Sequence, residues 1–585
     1  MRGIISRGSG TDRRCVPAVF LQIKILNNRK GDHAMSLMAN LYVGTSGLQV
    51  SQNALNTTAH NMSNIDTSGY TRQQVSQGTR SYSTLTKSNS AVAWQQIGLG
   101  VNYSNCKQVR STFLDASYRL ESGRSGFYDV SYSTLQEVED QLQEMNGAEF
   151  ADTLGNLWTS VQELAKNPTS TVNQSTFVTR CNEFVERAQA VYKGLTDYQS
   201  NLNDTVSTTV NQINSYGDQI EKLNQQIVEI ECGGVEHAND LRDERNTLLD
   251  KLGTLGNIDY EEDTFGNVLV SFEGTQFVAT DHVNHMACDT SESASGYNTP
   301  YWEFAAKTIT NADGTTSQDI SGAHVYDMTQ TISTDMNTDV GKLRSTLLAR
   351  GDHNATYHDI QDDTTGKYYN TNVSQSIIMN TEAEFDQLCN STFSAINTVL
   401  QNAKSNPATL SGSGNTSDYW MFTQVDPASS LNYTIDATHQ AGSNSTGFTI
   451  MNTQINSLLL QQPSLNTFKT ADGNEDTDAA NALKSAFTTQ KYTLNPNVAT
   501  TTNLQNYYSS LVSQVANTGT VSKSQAENQA TTVTTISNAR EQIVGASSDE
   551  EIQFMIEFQN AYNAASRYIN VVNAMLEHVV TTLGS

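Results

Sequence analysis

The sequence predicts a multidomain α+β protein. Its core is a discontinuous coiled-coil or bundle of long helices formed by both termini, with mostly β domains inserted between them. Three observations predict this. The stretch Ser548–Leu583 carries a seam of apolar residues at alternating steps of three and four: Met555, Phe558, Tyr562, Ala565, Ile569, Val572, Leu576, Val579 and Leu583. Near the other end, Leu41, Leu48, Leu55 and Met62 recur at intervals of seven. Past Gly256 the apolar period falls from 3.6 to 2, the change from helix to strand.

The N-terminal helix is predicted over 37–64, where the small residues Gly44, Ser51 and Thr58 flank the leucines and permit close approach. After a Ser- and Thr-rich loop at about 76–93, helical spacing resumes near Phe113. Leu135, Val138, Leu142 and Met145 form one face, and Leu154, Leu157, Trp158, Val161 and Leu164 another, until Asn167-Pro168 ends the run. A longer helix follows to Cys232, its stripe running from Phe177, Cys181 and Phe184 to Ile220, Leu223 and Ile227; Gly217 weakens one turn without ending it. Gly233-Gly234 closes it, and 241–252 gives one more short helix.

Val268, Val270, Phe272, Phe277 and Val278 around Gly274 read as a hairpin. Turn residues then recur to about 480, with β-like runs at Tyr301-Trp302-Glu303-Phe304, 419–423 and Tyr433-Thr434-Ile435. Helices interrupt at 343–350 and 382–403, and loops at 411–417 and 470–478 face solvent. The final helix starts at Ser548, which with Glu551 makes a capping box, while Asp549 and Glu550 suit the positive end of the helix dipole. It spans roughly 52 Å at 1.5 Å per residue. A second line (Ile552, Ala561, Tyr568, Val571, Met575) widens its apolar face beyond what one partner covers. Two such ends either pair with each other and with copies from other subunits, or close one ordinary monomeric core.

The 585 residues allow several domains, and both the hydrophobic content of 37 % and the charged content of 16 % are low. Ser, Thr, Asn and Gln make up the difference. The formal charge of −27 argues against nucleic acid or an anionic membrane as partner, since either repels an acidic body. No window is apolar enough for membrane insertion. Residues 1–34 differ in kind: seven Arg or Lys stand against two Asp, and the short apolar run 16–26 is broken by Pro17, Gln22 and Lys24. Arg29-Lys30-Gly31-Asp32 is encodable by a purine-rich run resembling a bacterial ribosome-binding site. The expectation is that residues 1–34 are a mis-started, non-native leader and that translation begins at Met35.

From Met35 onward the chain resembles a known family. Ser46-Gly47-Leu48, Ala54-Leu55-Asn56-Thr57, His60-Asn61-Met62-Ser63-Asn64-Ile65 and Gly69-Tyr70-Thr71-Arg72 resemble the opening of the flagellar rod, hook and hook-associated proteins. Gly98-Leu99-Gly100-Val101, Val109-Arg110 with Phe113-Leu114, and Leu241-Arg242-Asp243-Glu244-Arg245 with Leu248-Leu249-Asp250 are similar to later segments. So are Gly341-Lys342-Leu343, Tyr507-Tyr508-Ser509-Ser510-Leu511-Val512, and Phe558-Gln559-Asn560-Ala561-Tyr562-Asn563-Ala564-Ala565. Together they point to the hook-associated protein 1 family rather than to a rod or hook protein, strongly over 35–260 and 500–583.

The resemblance implies a structural adaptor of the bacterial flagellum, extracellular at the hook–filament junction and transiently cytoplasmic before export. It also implies type III export, a homo-oligomeric ring, the hook protein and the next junction protein as partners, and a cytoplasmic chaperone on the C-terminal helix. The domains expected are the leader 1–34; an N-terminal axial helix and loop, 35–75, innermost with 540–583; and a long-helix rod domain, 76–257, completed by about 500–539. Inserted, mostly β, outward-facing domains at 258–499 and the C-terminal axial helix at 540–585 complete the set. In the isolated monomer both terminal helices are expected to be mobile. The assembly interface is expected at Leu41, Leu48, Leu55, Met62, Met555, Phe558, Tyr562, Ile569, Val572, Leu576, Val579 and Leu583.

Catalytic signals are sparse. No HExxH, GxSxG or phosphate-cradling glycine loop occurs, and the six cysteines share no paired spacing. The weak metal candidate is His282, His285 and Cys288, and no cofactor is expected. Asp352-His353 and His358-Asp359 have acid/base composition but lack a nucleophile nearby. The alternative is a monomeric secreted enzyme or adhesin with its function in residues 258–480.

Overall fold

The computed structural model describes residues 32–583 apart from 88–93, 144–148, 235, 311–315, 362–364, 403–420, 425–447 and 466–474. Cys15, Met145, Tyr433-Thr434-Ile435, the loop 411–417 and residues 419–420 and 470–474 therefore lie outside the described residues, as do residues 1–31 of the leader.

The first element is α1, Asp32–Ser63. A ribbon follows: β1 (Gln73–Thr79), β2 (Ser83–Lys87), β3 (Trp94–Ile97) and β4 (Val101–Gln108). β1 pairs antiparallel with β4 and β2 with β3, and a bulge falls at Ser76/Gln77. Residues 76–93 of it had read as a loop, because Ser, Thr and Gln are frequent there and no apolar alternation marks the stretch.

Four helices come next: α2 (Thr112–Gln143), α3 (Phe150–Lys166), α4 (Thr171–Glu231) and α5 (Asn239–Leu255). Ser170 caps α4 by accepting from the Asn173 N–H. At 61 residues, α4 is roughly 90 Å long. Gly217 does not break it and has a packing reason to be there: a Cβ would lie 2.5 Å from Phe277 Cζ.

Phe277 belongs to a three-stranded antiparallel sheet, β5 (Ile258–Glu262), β6 (Val268–Phe272) and β7 (Thr275–Val278). Its tight turn places Glu273 and Gly274 at φ 50° and 77°. β8 (Met286–Asp289) pairs with β9 (Thr299–Trp302), and β10 (Lys307–Thr310) with β11 (Thr316–Asp319). Then come α6 (Lys342–Arg350), α7 (His358–Gln361), a π-helical turn at Tyr369–Val373, and α8 (Ile377–Asn402). β12 (Phe422–Gln424) pairs with β13 (Thr453–Ile455), followed by α9 (Ser457–Gln461), α10 (Thr477–Thr488), α11 (Leu504–Val544) and α12 (Ser548–Leu583). Small antiparallel sheets thus sit within a framework of long helices.

Among the described residues two large apolar cores form beside a small cluster around Tyr369 and Val373, and α4 runs through both large ones. The first gathers the end of α2, α3, the N-terminal half of α4, α8, α10 and the start of α11 around Phe150, Phe184, Phe385 and Tyr507. The second joins the C-terminal half of α4 to α5, α6 and the sheets around Phe272, Phe277 and Trp302. The change falls between Leu202 and Val206. Apart from these cores, α1 and α12 pack along each other as a pair.

Candidate assembly interface and its joint

α1 and α12 lie antiparallel. The position of a Cβ on Gly44 falls 2.7 Å from Ile569 Cγ1, and one on Gly47 falls 3.7 Å from Ala565 Cβ. Asn61, near the other end of α1, hydrogen-bonds Glu551. The buried face of α1 is Gly44, Val50, Ser51, Ala54, Thr58 and Asn61, a row of mostly small residues that lets the backbones close up. The opposite wall is the ribbon: Gly100, at φ +88°, approaches so closely that a Cβ would meet Ser46 Oγ, and the Val101 N–H donates to that oxygen at 3.2 Å.

Leu41, Leu48, Leu55 and Met62 are half-buried on α1. On α12, Met555, Phe558, Tyr562, Ala565, Ile569 and Leu576 are half-buried, and Val572 is buried at 3 % exposure. Val579 is exposed, and the side chain of Leu583 lies outside the described residues. The seam is therefore only partly covered by α1. Beyond it, Ile552, Ile556, Tyr568, Val571, Met575 and Val580 are exposed, Val571 at 52 % and Val580 at 68 %. One helix carrying this much bare apolar surface is unusual for a chain alone in water.

Where the pair meets the body, the segments of the family resemblance converge on a polar joint. Gly69 takes φ +83°, and a Cβ there would lie 2.6 Å from Thr247 Oγ1 on α5. Tyr70 Oη donates to Asn61 Oδ1 at 2.7 Å, and Asn61 exchanges two hydrogen bonds of 2.9 Å with the Gln73 backbone. The Thr71 N–H donates to Asp243 Oδ2 at 3.0 Å, pinning the loop to α5. The Arg72 N–H donates to the Val544 carbonyl at 2.8 Å, and its guanidinium to Glu550 at 2.8 Å. Burial pushes the Asp243 carboxyl up to about 6, against the opposing pull of the Thr71 hydrogen bonds and of Arg110, 3.8 Å away.

Beneath it, Arg540 in the last turns of α11 bridges Asp115 of α2 at 2.8 Å and Asp250 of α5 at 2.7 Å, with its guanidinium 4.9 Å from the Tyr118 ring centroid. Arg119 binds the other oxygen of Asp250 at 2.7 Å. Arg242 makes two hydrogen bonds of 2.8 Å to Glu231, and the buried Arg245 donates to Asn224 and to the Gly266 carbonyl. Sequence reasoning missed the role of Arg540. The signal available was its isolation: it is the lone Arg or Lys between Lys523 and Arg567.

The other candidates have separate partners. His282 contacts Asp281, His285 contacts Asp218 on α4, and Cys288 lies on β8. Among the described residues no group of three or more His, Cys, Asp or Glu side chains is arranged to hold a metal ion. His353 sits between Asp352 at 2.7 Å and Asp359 at 3.2 Å, and these hydrogen bonds push its imidazolium up to about 10. A histidine held charged in this way is an ion-pair clamp rather than a base working near neutral pH. Among the described residues no helix is long and apolar enough to cross a membrane.

Residues 135–403 match the family model described as the flagellar hook-associated protein FlgK helical domain, and residues 41–71 match that of the flagella basal body rod protein. The chain is 27 % identical to flagellar hook-associated protein 1 of Bacillus subtilis (strain 168) over 554 residues, 94 % of this chain and 99 % of that one. It is 22 % identical to flagellar hook-associated protein 1 of Escherichia coli (strain K12) over 559 residues, 92 % and 98 % of the two chains. The solved flagellar hook junction protein FlgK from Burkholderia pseudomallei is similar in fold, with a TM-score of 0.50 at 13 % identity, covering 73 % of this chain and 99 % of that one. Model, relatives and fold agree with the segments meeting at the joint: this chain belongs to the flagellar hook-associated protein 1 (FlgK) family, whose members are structural proteins of the flagellum and not enzymes.

Proposed function

We propose that this chain assembles at the distal end of the hook as a ring of identical subunits that forms the hook–filament junction, in contact with the hook protein and the next junction protein. The α1/α12 pair is its assembly element. The flagellar type III apparatus exports it, and a cytoplasmic chaperone covers α12 until then. One observation carries the reading: α12 keeps a half-covered seam and a second, exposed apolar line, Tyr568, Val571 and Met575, that nothing in its own chain buries among the described residues. Such a surface is unfavourable in water at about 25 cal/mol per Å² of apolar area. Neighbouring subunits remove that cost after assembly, as a chaperone does before it.

Ile569→Asp with Leu576→Asp tests this in the source bacterium. Each substitution places a charge in an apolar contact, at a cost of several kcal/mol per unpaired charge. The expected result is cells with hooks but no attached filaments, while the purified variant keeps the melting transition of its body. Normal filaments, or a collapsed body, would refute the assignment.

A further inference from the structure

α8 is buried on nearly every side, and it carries three carboxyl groups into the interior: Glu382, Glu384 and Asp386 have no exposed surface. Each holds a different piece of chain. Glu382 Oε2 accepts from the Ala355 N–H at 2.9 Å, while its Oε1 has no partner. Asp386 accepts from the Tyr357 N–H at 3.0 Å and the Ile450 N–H at 2.7 Å. Glu384 accepts from Asn495 Nδ2 at 2.6 Å and from Gln514 Nε2 at 2.9 and 3.0 Å. Thus one helix draws in the loop after α6, the turn at 450, the segment before α11, and α11 itself.

The charged groups that face these carboxyls are His353, Asp359 and His358. The other titratable neighbours are Tyr192 on α4, Tyr297 in the loop before β9, Tyr369 on the π-helical turn, Cys389 on α8 and Tyr507 on α11. His353 is already engaged by Asp352 and Asp359. Neutral N–H donors do not offset the loss of water around a carboxylate, so burial is the dominant influence on all three groups. It pushes Glu384 and Asp386 up to about 7, and Glu382 well above the usual carboxylate range.

We propose that α8 is a proton-operated clasp: with its carboxyls protonated in mild acid the body closes tightly on it, and their ionisation toward neutral pH loosens the body. The direction follows from proton linkage. The unfolded chain releases these protons near pH 4, whereas the folded body holds those of Glu384 and Asp386 to about 7 and that of Glu382 well above the usual carboxylate range. Between those limits the folded state binds more protons. Stability is therefore greatest below the unfolded values and falls as pH rises through the raised values of the folded state. The clasp belongs to the body alone and is independent of how α12 is covered.

Calorimetric melting of the full chain from pH 5 to pH 8 tests it. Wild type is expected to lose on the order of 10 °C in Tm over that range. The double variant E382Q/E384Q has a clearly shallower slope and keeps the part that comes from Asp386, from the buried carboxyls of Asp243 and Glu273 and from His353. Glu229→Gln, on the exposed side of α4, follows wild type. Infrared spectroscopy of wild type gives a readout independent of whether the variants fold: the band of protonated carboxyl groups persists at pH 6 and weakens as pH rises through 7. Absence of that band at pH 6, or an undiminished pH slope in the double variant, overturns the proposal.

Discussion

Phe385 in α8 and Phe558 in α12 are the same residue type in opposite circumstances. Phe385 has no exposed surface and its ring packs 4.9 Å from that of Phe150, centroid to centroid. Phe558 is half-buried, with Phe554 as its stacking partner on the same helix. The body is finished within one chain, while the α1/α12 pair stops partway. Full burial of a large apolar side chain is worth about 1.5–3 kcal/mol, and half-burial leaves a comparable amount to be gained from another surface. In the body, packing serves stability; along α12 it remains available for association.

The comparison can be broken at three depths. The largest effect belongs to the body: Phe385→Ala removes a ring at the meeting of α3, α4, α8 and α11 and is expected to cost about 3–5 kcal/mol in denaturant unfolding. A loss under about 1 kcal/mol would mean the core is not closed as described. Next is Gly44→Leu, which forces Ile569 and Tyr568 away from α1. Overpacking of this kind costs about 1–3 kcal/mol. Amide exchange is expected to accelerate over 40–63 and 548–583 and stay slow over 177–227; uniform acceleration would make the pair an ordinary part of the core. The smallest effect is that of Arg540→Gln. Its ion pairs are largely buried, but Asp115 keeps Arg110 and Asp250 keeps Arg119, so only about 1 kcal/mol is expected, with broader spin-label distances between α12 and α5. Unbroadened distances would show that the joint does not orient the pair.

The helices were the most legible part. The bounds of α12 and the unbroken run of α4 could be read from spacing alone, because long amphipathic stripes repeat over many turns. Helices expected at 343–350 and 382–403 correspond to α6 and α8, though the start of α8 lies earlier, at Ile377. The ribbon within 73–108 escaped because its sequence carries no apolar alternation. The carboxyls of α8 escaped for the opposite reason: Glu-x-Glu-x-Asp looks like solvated surface, and only tertiary packing reveals three acids indoors. The leucines spaced by seven drew attention on α1, yet its deepest contacts run through Gly44 and Gly47, where the signal is what a side chain lacks. Joint residues more than a hundred positions apart, such as Thr71 and Asp243, left no local pattern to read.

α4 has a mechanical consequence. It passes from one core to the other between Leu202 and Val206 as continuous helix, so no loop there is available to act as a hinge. Bending one core against the other means straining consecutive i→i−4 hydrogen bonds around one turn and repacking both flanks. A torque applied to the sheets is thus carried along the helix into the helical core as through a beam. Compliance is left to the joint, where Thr71, Arg72 and Arg540 hold by polar contacts that re-form more readily than packed aromatic rings.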